Sequence, residues 1–298
     1  MRLIDVDTFE LREFLEDSIP PYAILSHRWE EEEVLFQDMQ NIELAKKKRG
    51  FEKIHGCCEQ AKAEGWSWVW VDTCCIDKTS SAELSEAINS MFRWYQSAMV
   101  CFAYLSDVAS SDSEEYEYDQ SQWFKRGWTL QELLAPHKVS FYSRSWICIG
   151  EKSSMSRYIS KITGISRDVL ENRQEISTVP VAIRMYWASE RKTTRIEDMA
   201  YALLGIFDVN MPLLYGEGTK AFQRLQEYIW KETNDHTLLL WDNFGESSHA
   251  KLWKPYQEVL LQILSTLDCK SLFFVQVESA MKSRIMNRPF TLASYLRY

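Results

Sequence analysis

Tyr22-Ala23-Ile24-Leu25-Ser26 is a short apolar run after Pro20-Pro21, and it gives way to His27-Arg28-Trp29 and then Glu30 to Glu33. Such a run, closed by a polar cluster, predicts a buried strand emptying into a loop. The pattern recurs downstream. Phe51 to Glu64 has helical spacing, with Phe51, Ile54, Cys58 and Ala61 on one face and Gly65 placed to stop the helix. Trp66 to Asp72 predicts a second strand, on which Trp66, Trp68 and Trp70 alternate toward the core. Ser80 stands three residues before Glu83, a capping-box spacing, and opens a helix with Leu84, Ile88, Met91 and Tyr95 down one side. Met99 to Leu105 predicts a third strand, followed by an acidic, Ser-rich loop, and Lys138 to Tyr142 predicts a fourth.

Alternating strands and helices predict an α/β fold, a mostly parallel flavodoxin-like sheet flanked by helices with right-handed crossovers. Ligands gather beyond the carboxyl ends of the strands in such sheets. Those ends present Ser26, His27, Arg28 and Trp29 from the first strand, Asp72 and Asp77 from the second, and Ser106 and Asp107 from the third. Within Gly127-Trp128-Thr129-Leu130-Gln131-Glu132-Leu133-Leu134, a helix gathers the leucines on one side and places Trp128 and Glu132, four apart, on the other. That pair offers an aromatic plate beside a carboxylate. Its plainer reading is an amphipathic helix with a solvated Glu.

Beyond residue 150 the strand signal fades. Ile196, Met199, Ala200, Leu203 and Leu204 predict one helix, and Ala221, Phe222, Leu225 and Ile229 another, joined through Met211 to Gly218. The organisation expected is an α/β domain over 1–150, a helical extension over 151–245, and a segment over 246–298 without clear periodicity. Gly216-Glu217-Gly218-Thr219-Lys220 lacks the spacing of a phosphate loop and reads as a turn that starts a helix.

The 298 residues carry 34 Lys and Arg against 43 Asp and Glu, a net charge of −9. This argues against nonspecific binding to nucleic acid or an anionic membrane, and a small anionic ligand would need a local exception. Seven cysteines form no Cys-x-x-Cys, and Cys57-Cys58 and Cys74-Cys75 are adjacent. That spacing suits reduced thiols in a cytoplasmic protein better than a disulfide framework. The acidic amino terminus does not resemble a signal peptide, and no apolar run is long enough to span a membrane. Histidines 27, 55, 137, 236 and 249 have no ligand spacing, so no metal is expected. Ser26 and His27 are adjacent and lack a glycine elbow, which argues against a hydrolase triad. Lys46 to Arg49 and Glu30 to Glu33 read as solvated charge runs.

These same residues carry a family resemblance. Tyr22-Ala23-Ile24-Leu25-Ser26-His27-Arg28-Trp29, Trp70-Val71-Asp72-Thr73-Cys74-Cys75-Ile76-Asp77-Lys78, Ser85-Glu86-Ala87-Ile88-Asn89-Ser90-Met91 and Arg126-Gly127-Trp128-Thr129-Leu130-Gln131-Glu132-Leu133 resemble, in order, the motifs of the HET (heterokaryon incompatibility) domain of filamentous fungi. The likeness continues through Arg195-Ile196-Glu197-Asp198-Met199-Ala200-Tyr201 and Tyr215-Gly216-Glu217-Gly218, and covers roughly residues 1 to 241. Glu30 departs from it, since such proteins commonly carry Gly after the Trp. Long relatives append an NTPase and repeats, which the missing phosphate loop does not lead one to expect here. The resemblance implies an effector of programmed cell death in vegetative incompatibility, acting after an upstream non-self recognition protein.

A more distant likeness is to TIR domains. It rests on strands ending Leu25-Ser26-His27-Arg28, Asp72 and Leu105-Ser106, on Ala87-Ile88-Asn89-Ser90, and on Trp128-Thr129-Leu130-Gln131-Glu132-Leu133. In TIR domains that cleave NAD⁺ the Glu of the corresponding motif is catalytic, so the resemblance implies that role for Glu132. NAD⁺ would then be substrate, with no cofactor. Chemistry suggests stacking of a base on Trp128 or Trp29 and pairing of Arg28 with the pyrophosphate. The same likeness also fits a noncatalytic module that homo-oligomerises and recruits a separate killer.

Overall fold

A computed structural model describes residues 1–109, 118–233, 235 and 237–238. In chain order it contains strands β1 (Arg2–Asp5), β2 (Leu11–Glu13) and β3 (Ala23–His27), helices α1 (Ile42–Ala45) and α2 (Phe51–Ala63), then β4 (Trp68–Trp70), α3 (Ser81–Ser97), β5 (Val100–Tyr104), α4 (Thr129–Leu134), β6 (Val139–Tyr142) and β7 (Cys148–Glu151). Helices α5 (Ser156–Thr163), α6 (Arg167–Leu170), α7 (Val181–Ala188), α8 (Asp198–Tyr201), α9 (Leu204–Phe207) and α10 (Lys220–Glu232) follow.

The strands form one sheet in the order β2-β1-β4-β3-β5-β6-β7. Its centre, β4-β3-β5-β6, is parallel, while β1 and β7 run antiparallel to their inner neighbours. The α/β expectation holds for the parallel centre, where short apolar runs leave every residue of β3, β5 and β6 buried on both faces. The chain leaves β3 through α2 to β4 on one side, then returns through α3 to β5 on the other. That reversal opens a crevice at the carboxyl end of β3. Helix α4, which follows β5, touches both α3 and β3 there.

Local chemistry sets the helix limits. Ser80 caps α3, its side chain accepting from the Glu83 backbone N–H at 3.3 Å. After α2, Gly65 takes φ +85°, a left-handed conformation suited to glycine. Gly216 and Gly218, at φ +102° and +62°, make the turn before α10, and their N–H groups donate to Glu197 Oε1 at 2.9 and 3.0 Å.

Several expectations change. The second strand is shorter than predicted, and Trp66 and Trp68 are only half-buried while Trp70 is buried. The helix expected from Ile196 to Leu204 is two short ones, because the backbone tightens at Leu203, whose N–H bonds the Ala200 carbonyl. Ile196 lies outside both and is exposed. Glu33 is not solvated but buried, ion-paired to Lys53 at 2.5 Å. The segment from His249 lies outside the described residues. Among those described, no helix is long and apolar enough to cross a membrane.

Candidate functional site

Helix α4 owes its position to contacts at both ends. At its start, the Thr129 hydroxyl bonds the Trp123 carbonyl at 2.5 Å, and Arg191 donates to Thr129 Oγ1 and the Arg126 carbonyl, each at 3.0 Å. At its end, the buried Lys152 ammonium donates to the carbonyls of Leu133 and Pro136 at 3.3 and 2.5 Å, satisfying groups the helix leaves open. All six residues of α4 are buried, so the polar side that the sequence offered to solvent faces the protein as well.

That side carries Glu132, 6 % exposed. Its carboxyl accepts a hydrogen bond from the Ser26 hydroxyl of β3, and Ser26 Oγ accepts from the Trp123 indole at 2.9 Å. Burial, reinforced by the charge of Asp72, outweighs the Ser26 bond and the attraction of Arg126 and Arg191, and pushes the carboxyl up to about 8. Glu132 is therefore largely protonated at neutral pH in the free protein.

Next to it, past the end of β4, Asp72 accepts from His27 Nε2 at 3.0 Å and from the Trp29 indole at 2.8 Å. Burial works to raise its carboxyl, but Lys78, His27 and Arg126 together hold it well below the usual range. The Lys78 ammonium donates to the Asp72 carbonyl at 2.7 Å and lies 3.7 Å from the centre of the Trp29 ring. Also in the lining, Asp198 accepts from the Tyr215 hydroxyl at 3.0 Å and the Trp128 indole at 3.3 Å.

These groups enclose a cavity of about 330 Å³, whose lining includes His27, Trp29, Asp72, Trp128 and Glu132. Ser26 sits beneath it, fully buried. Two expected members stand elsewhere. Arg28 lines a separate cleft of about 700 Å³ on the α2 side of the same loop. Asp77 holds a turn, accepting from Thr79 and Gln37, and does not line the cavity. Glu30 also faces the outer cleft, bound to Ser106 at 2.7 Å and Lys53 at 3.2 Å, so it does not crowd Glu132.

Sequence reasoning missed Lys78, Arg126, Thr194, Arg195, Asp198 and Tyr215, which with the apolar Ile76, Leu84, Ile88 and Met91 complete the lining. Thr194, Arg195, Asp198 and Tyr215 come from the helical part of the chain. It joins the α4 approach through backbone bonds, Gly127 N–H to the Lys192 carbonyl at 2.8 Å and Lys192 N–H to the Lys125 carbonyl at 2.7 Å. Gly127 permits that approach, since a Cβ there would press on the Thr193 methyl at 2.5 Å. The available signal was positional: Arg126, Arg195 and Tyr215 each open a motif singled out above. Among the described residues, no three His, Cys, Asp or Glu side chains are grouped to hold a metal ion.

A buried acid at the crevice of a parallel sheet, walled by tryptophans and closed by a helical segment, is the setting in which the family comparison falls. Residues 22–120 match the family model described as Heterokaryon incompatibility protein (HET), and the chain belongs to that fungal family of HET-domain proteins. It is 49% identical over 224 residues to the Vegetative incompatibility protein HET-E-1 of Podospora anserina, a match covering 72% of this chain and 16% of that protein. The chain thus spans a small part of the relative's length. No solved structure matches it.

Proposed function

We propose that this chain acts as a cell-death effector in vegetative incompatibility, and that it does so by hydrolysing NAD⁺ to nicotinamide and ADP-ribose. The observation that carries the reading is the buried Glu132 carboxyl at the wall of an aromatic cavity. In NAD⁺ the nicotinamide is a cation. Breaking its bond to ribose C1′ returns the bonding pair to the ring nitrogen and releases a neutral molecule, so the leaving group needs no acid. This differs from O-glycoside cleavage, with its paired carboxyl groups. Water then adds to C1′ and gives up a proton. Ionised Glu132 would stabilise the positive charge that grows on the ribose, worth about 10²–10³ in rate for electrostatic groups of this kind. Trp128 offers a face for a ring of the dinucleotide, while the Trp29 ring is already packed by Lys78. The cationic ring itself favours the carboxylate form of Glu132, so substrate supplies part of the drive to ionise it.

The TIR likeness described above and membership of the HET family both support this reading. It is tested by incubating the full chain at high concentration with NAD⁺ and following nicotinamide release, with Glu132→Gln in parallel. The reading requires release by the wild type and a loss of at least about 100-fold in the variant. Intact NAD⁺ under conditions where the wild-type chain assembles and kills cells would instead favour a noncatalytic, oligomerising adaptor. The neutral state of Glu132 in the free protein suits that second reading, as does the TIR likeness.

A further inference from the structure

We infer that Arg126 and Arg195, which both line the cavity, form a clamp for the phosphate groups of a nucleotide diphosphate. The cavity is a local exception on a chain of net charge −9, since its lining carries Lys78, Arg126 and Arg195 against Asp72 and Asp198, with Glu132 largely neutral.

The partners of these groups decide which of them are free for a ligand. Asp72 is satisfied by His27 and Trp29, and Asp198 by Tyr215 and Trp128. Lys78 is engaged by the Asp72 carbonyl and the Trp29 ring. Arg126 and Arg195 differ. Among the described residues neither guanidinium takes part in a hydrogen bond or an ion pair, and each lies beside an aromatic ring instead. Arg126 Cζ is 5.9 Å from the centre of the Trp29 ring, and Arg195 Cζ is 4.6 Å from that of Tyr215. A ring supports one face of a guanidinium and leaves its planar N–H edge open, the edge that binds phosphate oxygens in pairs.

Two such groups, carried by different parts of the chain, suit a ligand with two linked phosphates better than a single small anion. The arrangement also replaces Arg28 as the candidate for this contact, since Arg28 lines the other cleft. The clamp rests on the same cavity as the proposed NAD⁺ cleavage, but it concerns binding and is measured without turnover.

The test is calorimetric binding of ADP-ribose and of adenosine, which lacks phosphate, to the full chain. The wild type is expected to bind ADP-ribose more tightly than adenosine, with an affinity for ADP-ribose that falls as salt rises. Arg126→Gln and Arg195→Gln should each weaken ADP-ribose about tenfold or more and leave adenosine unchanged. Arg28→Gln should leave ADP-ribose within about twofold of the wild type, as a group outside the contact would. Among the described residues neither guanidinium makes a hydrogen bond or an ion pair, and each has only a ring contact and charges at a distance, so both variants should stay folded and melt within a few degrees of the wild type. Undiminished ADP-ribose binding in both clamp variants, an equal loss in Arg28→Gln, or no binding by any form would overturn the inference. Nicotinamide release from the same preparations decides the cleavage reading separately: arginine-dependent binding without release keeps the clamp and rejects the hydrolysis.

Discussion

The Ser26 hydroxyl donates to the Glu132 carboxyl, joining the end of β3 to α4 across 106 positions of sequence. Ser26 has one proton to give, and the incoming bond from the Trp123 indole turns that proton toward the acid. The tryptophan is placed in turn by Asp107, which accepts from the Ser121 hydroxyl at 2.6 Å and the Gln122 N–H at 2.7 Å. The end of β3 and the segment between β5 and α4 thus converge on one carboxyl group.

Ser26→Ala tests this chain of donors. The variant loses the bond that lowers the Glu132 pKa and leaves the Trp123 N–H without an acceptor in a buried place. Stability should fall by about 1–3 kcal/mol, seen as a lower urea midpoint with unchanged slope. Any NAD⁺ hydrolysis should need a higher pH than in the wild type. An unaltered urea midpoint would mean that the bond contributes nothing.

Glu132 also makes stability depend on pH with a definite sign. Its carboxyl is raised from 4.5 to about 8, so between those values the folded protein holds a proton that the unfolded chain has released. Its contribution is complete at acid pH and is lost as pH rises through about 8. Glu132→Gln cannot ionise. The variant should match the wild type within about 1 kcal/mol near pH 4.5 and exceed it by a few kcal/mol, on the order of the shift, at pH 8 and above. Urea titrations at the two pH values measure the difference. A variant less stable than the wild type throughout would show that Glu132 is a structural group, whereas stability gained on removing it marks a residue kept for function.

Lys152→Met tests what anchors the end of α4. Methionine fills similar space but cannot donate to Leu133 and Pro136, and the open carbonyls should cost about 1–3 kcal/mol. Burial lowers the lysine to about 8, so above that pH the unfolded chain binds a proton that the folded one does not. Wild-type stability should therefore gain between about pH 8 and the ordinary lysine value, and the deficit of the variant should widen there. Guanidinium titrations at pH 7 and pH 10 measure it; equal deficits would contradict the assignment.

How far the sequence disclosed this arrangement depended on the kind of signal. β3, β5 and β6 were legible because strands buried on both faces must be nearly all apolar, and α2 and α3 because one face is apolar and their ends carry Gly65 and the Ser80 cap. The edge strands β1, β2 and β7 were not. They have three or four residues, and β2 and β7 bury none of theirs, so neither a run nor an alternation marks them. At the site, the alignment of strand ends found Ser26, His27, Trp29 and Asp72, and helical spacing found Trp128 with Glu132. Arg28 and Asp77 share those loops but turn away, because successive loop side chains leave in different directions. Arg195, Asp198 and Tyr215 reach the cavity only through the packing of the helical part against Gly127, which no local pattern encodes.

Arg191 offers a further check on that packing. It is buried, donates to the α4 approach, and its second terminal nitrogen, Nη2, has no hydrogen-bond partner among the described residues. Arg191→Met should lower the melting temperature through the loss of three bonds, to Trp187, Arg126 and Thr129, of about 1 kcal/mol each, offset in part by release of a buried charge. Arg195→Gln, at an exposed position, should not lower it. Thermal unfolding of the pair distinguishes a residue that holds the wall from one that faces the cavity.

The central claim is that ionisation of Glu132 controls cleavage of NAD⁺ in this cavity. The pH dependence of kcat/KM for nicotinamide release tests it most directly, because that ratio reports the acid of the free protein. The rate should climb with pH along a limb centred near 8, the value to which burial brings the carboxyl, and Glu132→Gln should abolish both the limb and the activity. A wild-type profile that is flat from pH 6 to 9, or release that survives in Glu132→Gln, would contradict the account.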